Sequence, residues 1–337
     1  MLLLGGVVAG PIGAGASASA PLLARQRGRK GKGKMNNENI DGVIVVPSVR
    51  GTNEARGAAL KTAYEFAKKG RFDHDCERTT VVVPPGKYDV GEDGLVLDAP
   101  KVDVVAMVEA AVANAGRRTM KLEPTVTIYG AGQGVVRLVA DDIHLRDLEI
   151  VAGRKGSIGL TPYAYGNRTI LQRCLINAVD GRATAVGQSY RMALDACAII
   201  GDYALGGSPS DAEGMERVGF YGTLNRCLIL GRAAVGGNGW MEGDIYSSYI
   251  DGDYALGGGG RVNGKIYDSV VDGYNCVAGG RGEIGPDTRV ERTSITGDGA
   301  LGAEEVNNSA IFRYVRWVPK WLPKFGGTYR FCEWCDE

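Results

Sequence analysis

Three charged residues occupy one point of a recurring motif. Asp202, Arg232 and Asp253 each follow a glycine directly, in the stretches IIGDYALGG, LILGRAAVGG and IDGDYALGG. If the motif is one coil of a stack, equivalent positions lie about 4.8 Å apart per step. Asp202 and Asp253 then stand roughly 10 Å apart with Arg232 between them. Two residues earlier, a second column reads Ile200, Leu230, Asp251, Asp272 and Thr296. Asp251 and Asp272 are neighbours there at roughly 5 Å, where like charges repel.

Carboxylate pairs about 5 Å apart, or about 6.5–9.5 Å apart with water between, are the two geometries of glycoside hydrolysis. Asp202, Asp253, Asp251 and Asp272 are therefore the candidate acid and base groups. Arg232, with Tyr274 and Asp298 from the same column of later repeats, forms the candidate substrate-contacting set. An arginine fork suits a uronate carboxylate, which it grips by two parallel hydrogen bonds. The competing reading is structural: aspartate beside glycine is ordinary turn chemistry, and an Asp–Arg–Asp ladder neutralises itself.

The positioning elements follow from the repeat. The segments LRDLEI, LQRCLI, LDACAI, LNRCLI, IYSSYI, IYDSVV and VERTSI, starting at residues 145, 171, 194, 224, 245, 266 and 290, align with one another. Each precedes a turn and a second short apolar piece such as YALGG or AAVGG. Such a unit cannot bury its apolar face alone, and stacked copies share one core. Glycine, at 52 of 337 residues, fits many tight turns. The fold class expected is all-β, a right-handed parallel β-helix.

Earlier in the chain, NEARGAALKTAYEFAKK reads as a short amphipathic capping helix from Asn53 to Lys69, with Asn53 as N-cap. Its expected buried face is Ala55, Ala58, Ala59, Thr62, Ala63 and Phe66. TTVVVPPGKYDV reads as two strands around a Pro-Pro-Gly turn, and KVDVVAMVEAAVANAGRR as one inserted helix from about Val102 to Ala115. The aromatic run FRYVRWVPKWLPKF is expected to shield the far end of the stack.

The organisation expected is an export-signal-like segment over residues 1–20, a basic linker and lead-in over 21–50, and the β-helix over 51–337. The first segment is apolar, uncharged and ends in small residues. Interrupted by Gly and Pro, it makes a poor permanent span, so no stable membrane insertion of the mature chain is expected. With 39 basic and 39 acidic residues, no global field recruits nucleic acid. Among seven cysteines, Cys174, Cys197 and Cys227 recur in matching contexts as buried residues. Cys332 and Cys335 form a lone CxxC without further zinc ligands. His74, His144 and the Asp141-Asp142 pair are assigned surface, packing and turn roles. No motif identifies a cofactor, and no metal site is expected.

TTVVVPPGKYDV together with VTIYGAGQGVVRLVADDIHLRDLEI resembles the opening coils of right-handed parallel β-helix proteins of the pectin lyase-like superfamily, and the resemblance extends from about Gly51 onward. MALDACAIIGDYALGG and GTLNRCLILGRAAVGGN are similar to two successive coils of pectin methylesterases. In those enzymes the aligned coils carry the motifs QDTL and DFIFGN, whose aspartates act on a methyl ester. Here Ala204 and Ala234 stand near those positions, and the arginine motif LGRPW has no counterpart after Trp240. The resemblance implies the fold and an extracellular, uronate-containing (pectin-like) polysaccharide as partner, bound or processed. The alternative is a non-catalytic structural or adhesive solenoid on a cell or virion surface.

Overall fold

A computed structural model describes residues 42–74, 78–114, 120–132, 134–153, 158–162, 168–178, 184–186, 189–206, 219–236, 239–257, 260–273, 282–296, 305–306, 310–313 and 315–318. The export-signal-like segment, the Cys332–Cys335 pair and most of the basic linker lie outside these residues. So does the part of the C-terminal aromatic run beyond residue 318.

The described chain is a parallel β-helix, the fold class expected. Three parallel sheets run along it. The long sheet begins with Val43–Val45 and Thr79–Val83 and ends with Glu305–Val306 and Ile311–Arg313. The second sheet runs from Gly86–Asp89 to Arg316–Val318. The third runs from Leu95–Leu97 to Tyr203–Leu205 and continues through single bridges to Val235 and Leu256. Successive coils therefore visit the same three faces. Strand Val43–Val45, within the stretch read as lead-in, already pairs with Thr80–Val82.

The register matches the seven aligned segments residue for residue. Leu145, Leu171, Leu194, Leu224, Ile245, Ile266 and Val290 are successive partners in the long sheet. Ile150, Ile176, Ile199, Ile229, Ile250, Val271 and Ile295 are successive partners in the second. All fourteen are buried in one core. Burying an aliphatic side chain of this size contributes about 1.5–3 kcal/mol, which no single coil could collect alone.

Between those two columns every coil turns through a residue with left-handed backbone that is not glycine. Asp147, Arg173, Ala196, Arg226, Ser247, Asp268 and Arg292 have φ between 48° and 62°. Such a backbone costs about 1–2 kcal/mol per residue, so it must be compensated at each step. The following residue supplies part of the compensation. The Ser248 hydroxyl accepts from Cys227 N and donates to Tyr246 O, and Ser269 repeats this with Ser248 N and Tyr267 O. Cys174, Cys197 and Cys227 fill the same position in earlier coils, buried as expected, each Sγ donating to the carbonyl two residues before it. Burial pushes the Cys197 thiol well up, and the adjoining Cys174 and Cys227 thiols add to this.

Two expectations are corrected. The inserted helix over Val102–Ala115 does not form. Val102–Ala106 is a buried strand between Thr79–Val83 and His144–Arg146, and Ala111–Asn114 pairs antiparallel with Met120–Glu123. Three β-branched valines and open ladder partners on both sides outweigh the strong local helix propensity of the alanines, which tertiary context overrides. The capping helix is present and longer, α1 over Asn53–His74, with a different buried face. Gly57, Leu60, Ala63, Tyr64 and Ala67 are buried, while Ala58, Thr62 and Phe66 are exposed.

A Cβ on Gly57 would lie 1.7 Å from Asp89 O, so glycine lets the helix backbone rest directly on the first coil. Tyr64 completes the contact: its hydroxyl accepts from Ala99 N and donates to Asp98. Thr52, one residue before the expected N-cap, supplies the side-chain cap to Ala55 N. Asn53 instead donates to the Tyr129 hydroxyl.

Candidate functional site

The corner between the second and third sheets carries the candidate residues. Gly201, Gly231, Gly252 and Gly273 stack there, each N–H donating to the next coil: to Leu230 O, Asp251 O, Asp272 O and Thr296 O, all at 3.0 Å. A Cβ on Gly231, Gly252 or Gly273 would fall 1.8, 1.8 and 2.0 Å from the carbonyl oxygen of the glycine below. The glycines are thus fixed by backbone contact. Beyond them, Ala204, Ala234 and Ala255, with Leu205, Val235 and Leu256, are wholly buried. The two alanines aligned with the methylesterase aspartates therefore fill core positions.

Asp202, Arg232 and Asp253 form the expected column: Ala233 N donates to Asp202 O, and Tyr254 N to Arg232 O. The column is not symmetric. Arg232 leans toward the coil of Asp202, with Nε 3.4 Å from Asp202 Oδ1. Its Nη2 donates to the Tyr203 hydroxyl at 2.7 Å, and its guanidinium carbon lies 5.3 Å from the Tyr203 ring centre. Asp202 is 17% exposed and Arg232 51% exposed. Asp253 is exposed, and among the described residues no hydrogen bond or ion pair engages it. Tyr203 and Tyr254 flank buried Ala233 in the adjoining column.

The second column also forms as expected. Asp251 and Asp272 are direct partners on the outward face of the second sheet, with Leu230 before and Thr296 after. Asp272 Oδ1 accepts from Thr296 Oγ1 at 2.5 Å. Asp251 Oδ2 accepts from the Tyr249 hydroxyl at 3.4 Å. Tyr274 and Asp298 lie outside the described residues.

Chemically, the corner offers a guanidinium held from one side and a free carboxylate on the other. Arginine has five N–H donors; one here bonds Tyr203, and Nε makes an ion-pair contact with Asp202. Among the described residues no group of three or more His, Cys, Asp and Glu side chains could hold a metal ion. No helix among them is long and apolar enough to cross a membrane.

His144 and Asp142 belong to a different cluster. Arg78 bridges Asp103 and Asp142 at 2.7 and 2.5 Å, and His144 N donates to Asp103. Asp142 has φ 56°, in keeping with its turn role. His74 ends α1, and its side chain is outside the description.

Sequence reasoning passed over the left-handed column and its ion pairs. Arg173 grips Asp147 through two hydrogen bonds of 2.6 and 2.9 Å, and Arg292 grips Asp268 likewise at 2.6 and 2.9 Å. Arg226 instead pairs with Asp195 at 2.7 Å. The signal was available: the third position of the aligned segments reads Asp, Arg, Ala, Arg, Ser, Asp, Arg, never aliphatic and β-branched.

No family model and no curated protein matches the sequence. Solved structures similar to the chain include an Aspergillus niger pectin methylesterase in deglycosylated form, 12% identical, with TM-score 0.40 over 82% of this chain and 86% of that one. Pectate lyase Pel9A is 12% identical, with TM-score 0.40 over 72% and 69%. ORF18 of Geobacillus virus E2 is 10% identical, with TM-score 0.44 over 82% and 60%. No residue role or reaction is transferred from them to this chain.

Proposed function

We propose that the protein is an exported β-helix that binds an extracellular, uronate-containing, pectin-like polysaccharide along the corner formed by Asp202, Tyr203, Arg232, Asp253 and Tyr254. One observation carries this reading: Arg232 is half exposed yet oriented by Asp202 and Tyr203, so a carboxylate meets a guanidinium already held in place. Tyrosine faces beside it suit the C–H face of a sugar ring.

Binding is favoured over turnover. Asp202 is engaged by Arg232 and Asp272 by Thr296, and Asp253 is exposed, with no hydrogen bond or ion pair to it among the described residues that would preorganise it for chemistry. If the protein does process its ligand, Asp253 with the adjacent Asp251–Asp272 pair is the candidate acid/base set, Asp272 then acting with its Thr296 hydrogen bond in place.

Calorimetric titration with oligogalacturonate tests the reading. Binding should fall at least about tenfold in Arg232→Ala, by loss of roughly 1.4 kcal/mol or more, and should weaken as salt rises. Binding with no release of ester, unsaturated ends or reducing ends supports the non-catalytic form. Turnover abolished by Asp253→Asn at unchanged melting temperature would establish the enzyme instead. Absence of both binding and turnover overturns the proposal and favours the structural or adhesive alternative.

A further inference from the structure

The outward positions of the long sheet change character along its length. Near its start they include Val43, Val45 and Ile170, all exposed. Over strands Gly219–Asn225 to Lys265–Tyr267 the outward side chains are mostly aromatic, charged or amide-bearing. Strand Trp240–Tyr246 buries Met241 and Ile245 and turns Trp240, Glu242, Asp244 and Tyr246 outward at a spacing of about 6.7 Å. The register sets Tyr221 and Asn263 on either side of Glu242, and Tyr267 beside Tyr246.

These groups are not equally engaged. Asp244 accepts from the Tyr246 hydroxyl at 3.0 Å and from Lys265 N at 3.2 Å, and pairs with Lys265 Nζ at 3.5 Å. Tyr246 and Tyr267 pack with ring centres 5.7 Å apart, and Arg292 lies 5.8 Å from the Tyr267 ring centre. Arg261 sits 3.8 Å from Glu283, and Asn263 bonds to Asp287. Glu242 is half-buried in the middle of them, and among the described residues no hydrogen bond or ion pair engages it.

We propose that this face is a second glycan-contacting surface, centred on Glu242 and Trp240, and that its ligand is an uncharged polysaccharide. A pyranose ring presents a face of C–H groups and a rim of hydroxyls. Trp240 and Tyr221 take the C–H face, and the Glu242 carboxylate, an acceptor with no donor of its own, takes the hydroxyls. Charge selects the class. The cations nearby are already matched by Asp244 and Glu283, so Glu242 leaves a local negative excess that repels a uronate. The surface is separate from the Arg232 corner in residues and in ligand charge, and does not depend on it.

The full chain is titrated by calorimetry with uncharged hexamers of β-1,4-linked glucose, xylose and mannose, and with oligogalacturonate. One uncharged hexamer is expected to bind. Trp240→Ala and Glu242→Gln should each weaken it at least about tenfold, with Arg232→Ala unchanged. Glu242→Gln keeps shape and exposure, so its melting temperature should match the parent and separate lost contact from lost fold. Failure of every uncharged hexamer to bind overturns the proposal. So does binding that both variants retain, binding lost instead in Arg232→Ala, or dependence of oligogalacturonate affinity on Trp240.

Discussion

Asp147 is wholly buried, yet both its carboxylate oxygens are held by Arg173 from the next coil, at 2.6 and 2.9 Å. Asp147 Oδ1 also accepts from Ala110 N, at the foot of the hairpin formed by Ala111–Asn114 and Met120–Glu123. One carboxylate therefore links two coils and anchors an excursion from the coil path. Removing the buried partner of such a pair costs up to about 3–5 kcal/mol, here lessened because Arg173 is partly exposed and keeps Glu109 at 3.5 Å. Asp147→Ala should lower the urea midpoint accordingly, with the unfolding slope unchanged. A loss under about 1 kcal/mol would show that the pair is incidental.

The glycine corner predicts opposite outcomes for one substitution at two sites. Gly252→Ala drives a methyl group to 1.8 Å from Gly231 O, so the coils must part, and a loss above about 3 kcal/mol is expected. At Gly70, inside α1, an added Cβ meets nothing within 4 Å. Gly70→Ala should stabilise by about 0.5–1 kcal/mol, by restricting the unfolded chain and favouring helix. Thermal melts of the two variants decide the matter.

Cys197 should resist modification while the protein is folded. Its thiol is buried and pushed up, so little thiolate forms near pH 8. Thiol labelling followed by peptide mapping should find Cys197 unmodified in native protein and modified in urea. Cys197→Ser should cost no more than about 1 kcal/mol, because Ser248 and Ser269 hold the equivalent position with their hydroxyls satisfied.

Acid should weaken one exposed ladder pair. The Arg292 guanidinium holds the Asp268 carboxyl below its ordinary range. A depressed folded value contributes stability above the unfolded value of about 3.9, and that contribution disappears as pH falls through the lower folded value. Asp268→Asn should therefore be slightly less stable than the parent at pH 7 and lose less between about pH 4 and pH 2. Both side chains are about half exposed, so the difference should be small and should shrink with added salt. Urea midpoints at three pH values measure it.

The repeat was readable because the core columns are single residues at a fixed place in each coil, from Leu145 to Val290 and from Ile150 to Ile295. The two charged columns followed from the same alignment, since glycine marks the corner that precedes them. The direction in which Arg232 leans was not readable. Both neighbouring coils offer the same pair, Asp202-Tyr203 and Asp253-Tyr254, so residue type alone does not tell that the guanidinium bonds Tyr203. The strand Val102–Ala106 was missed because its valines sit within an alanine-rich stretch, and a ladder slot between two distant strands leaves no local trace. The face of α1 was misread for a related reason. Gly57 and Tyr64 are chosen to fit the end of the first coil, whereas Phe66, the most apolar residue of the expected face, points to solvent.

The stacked glycine corner has a consequence for how such a chain diversifies. At Gly231 and Gly252 the backbone admits no other side chain, while the residue just after each, Arg232 or Asp253, faces water. Each coil thus offers one editable position at a pitch of about 4.8 Å, fixed in place yet free in identity. A row of such positions acts like the teeth of a comb whose spacing the protein cannot change. A polymer is then recognised by where its own period falls into step with that spacing, and new specificity can arise by respelling single letters without recutting the comb.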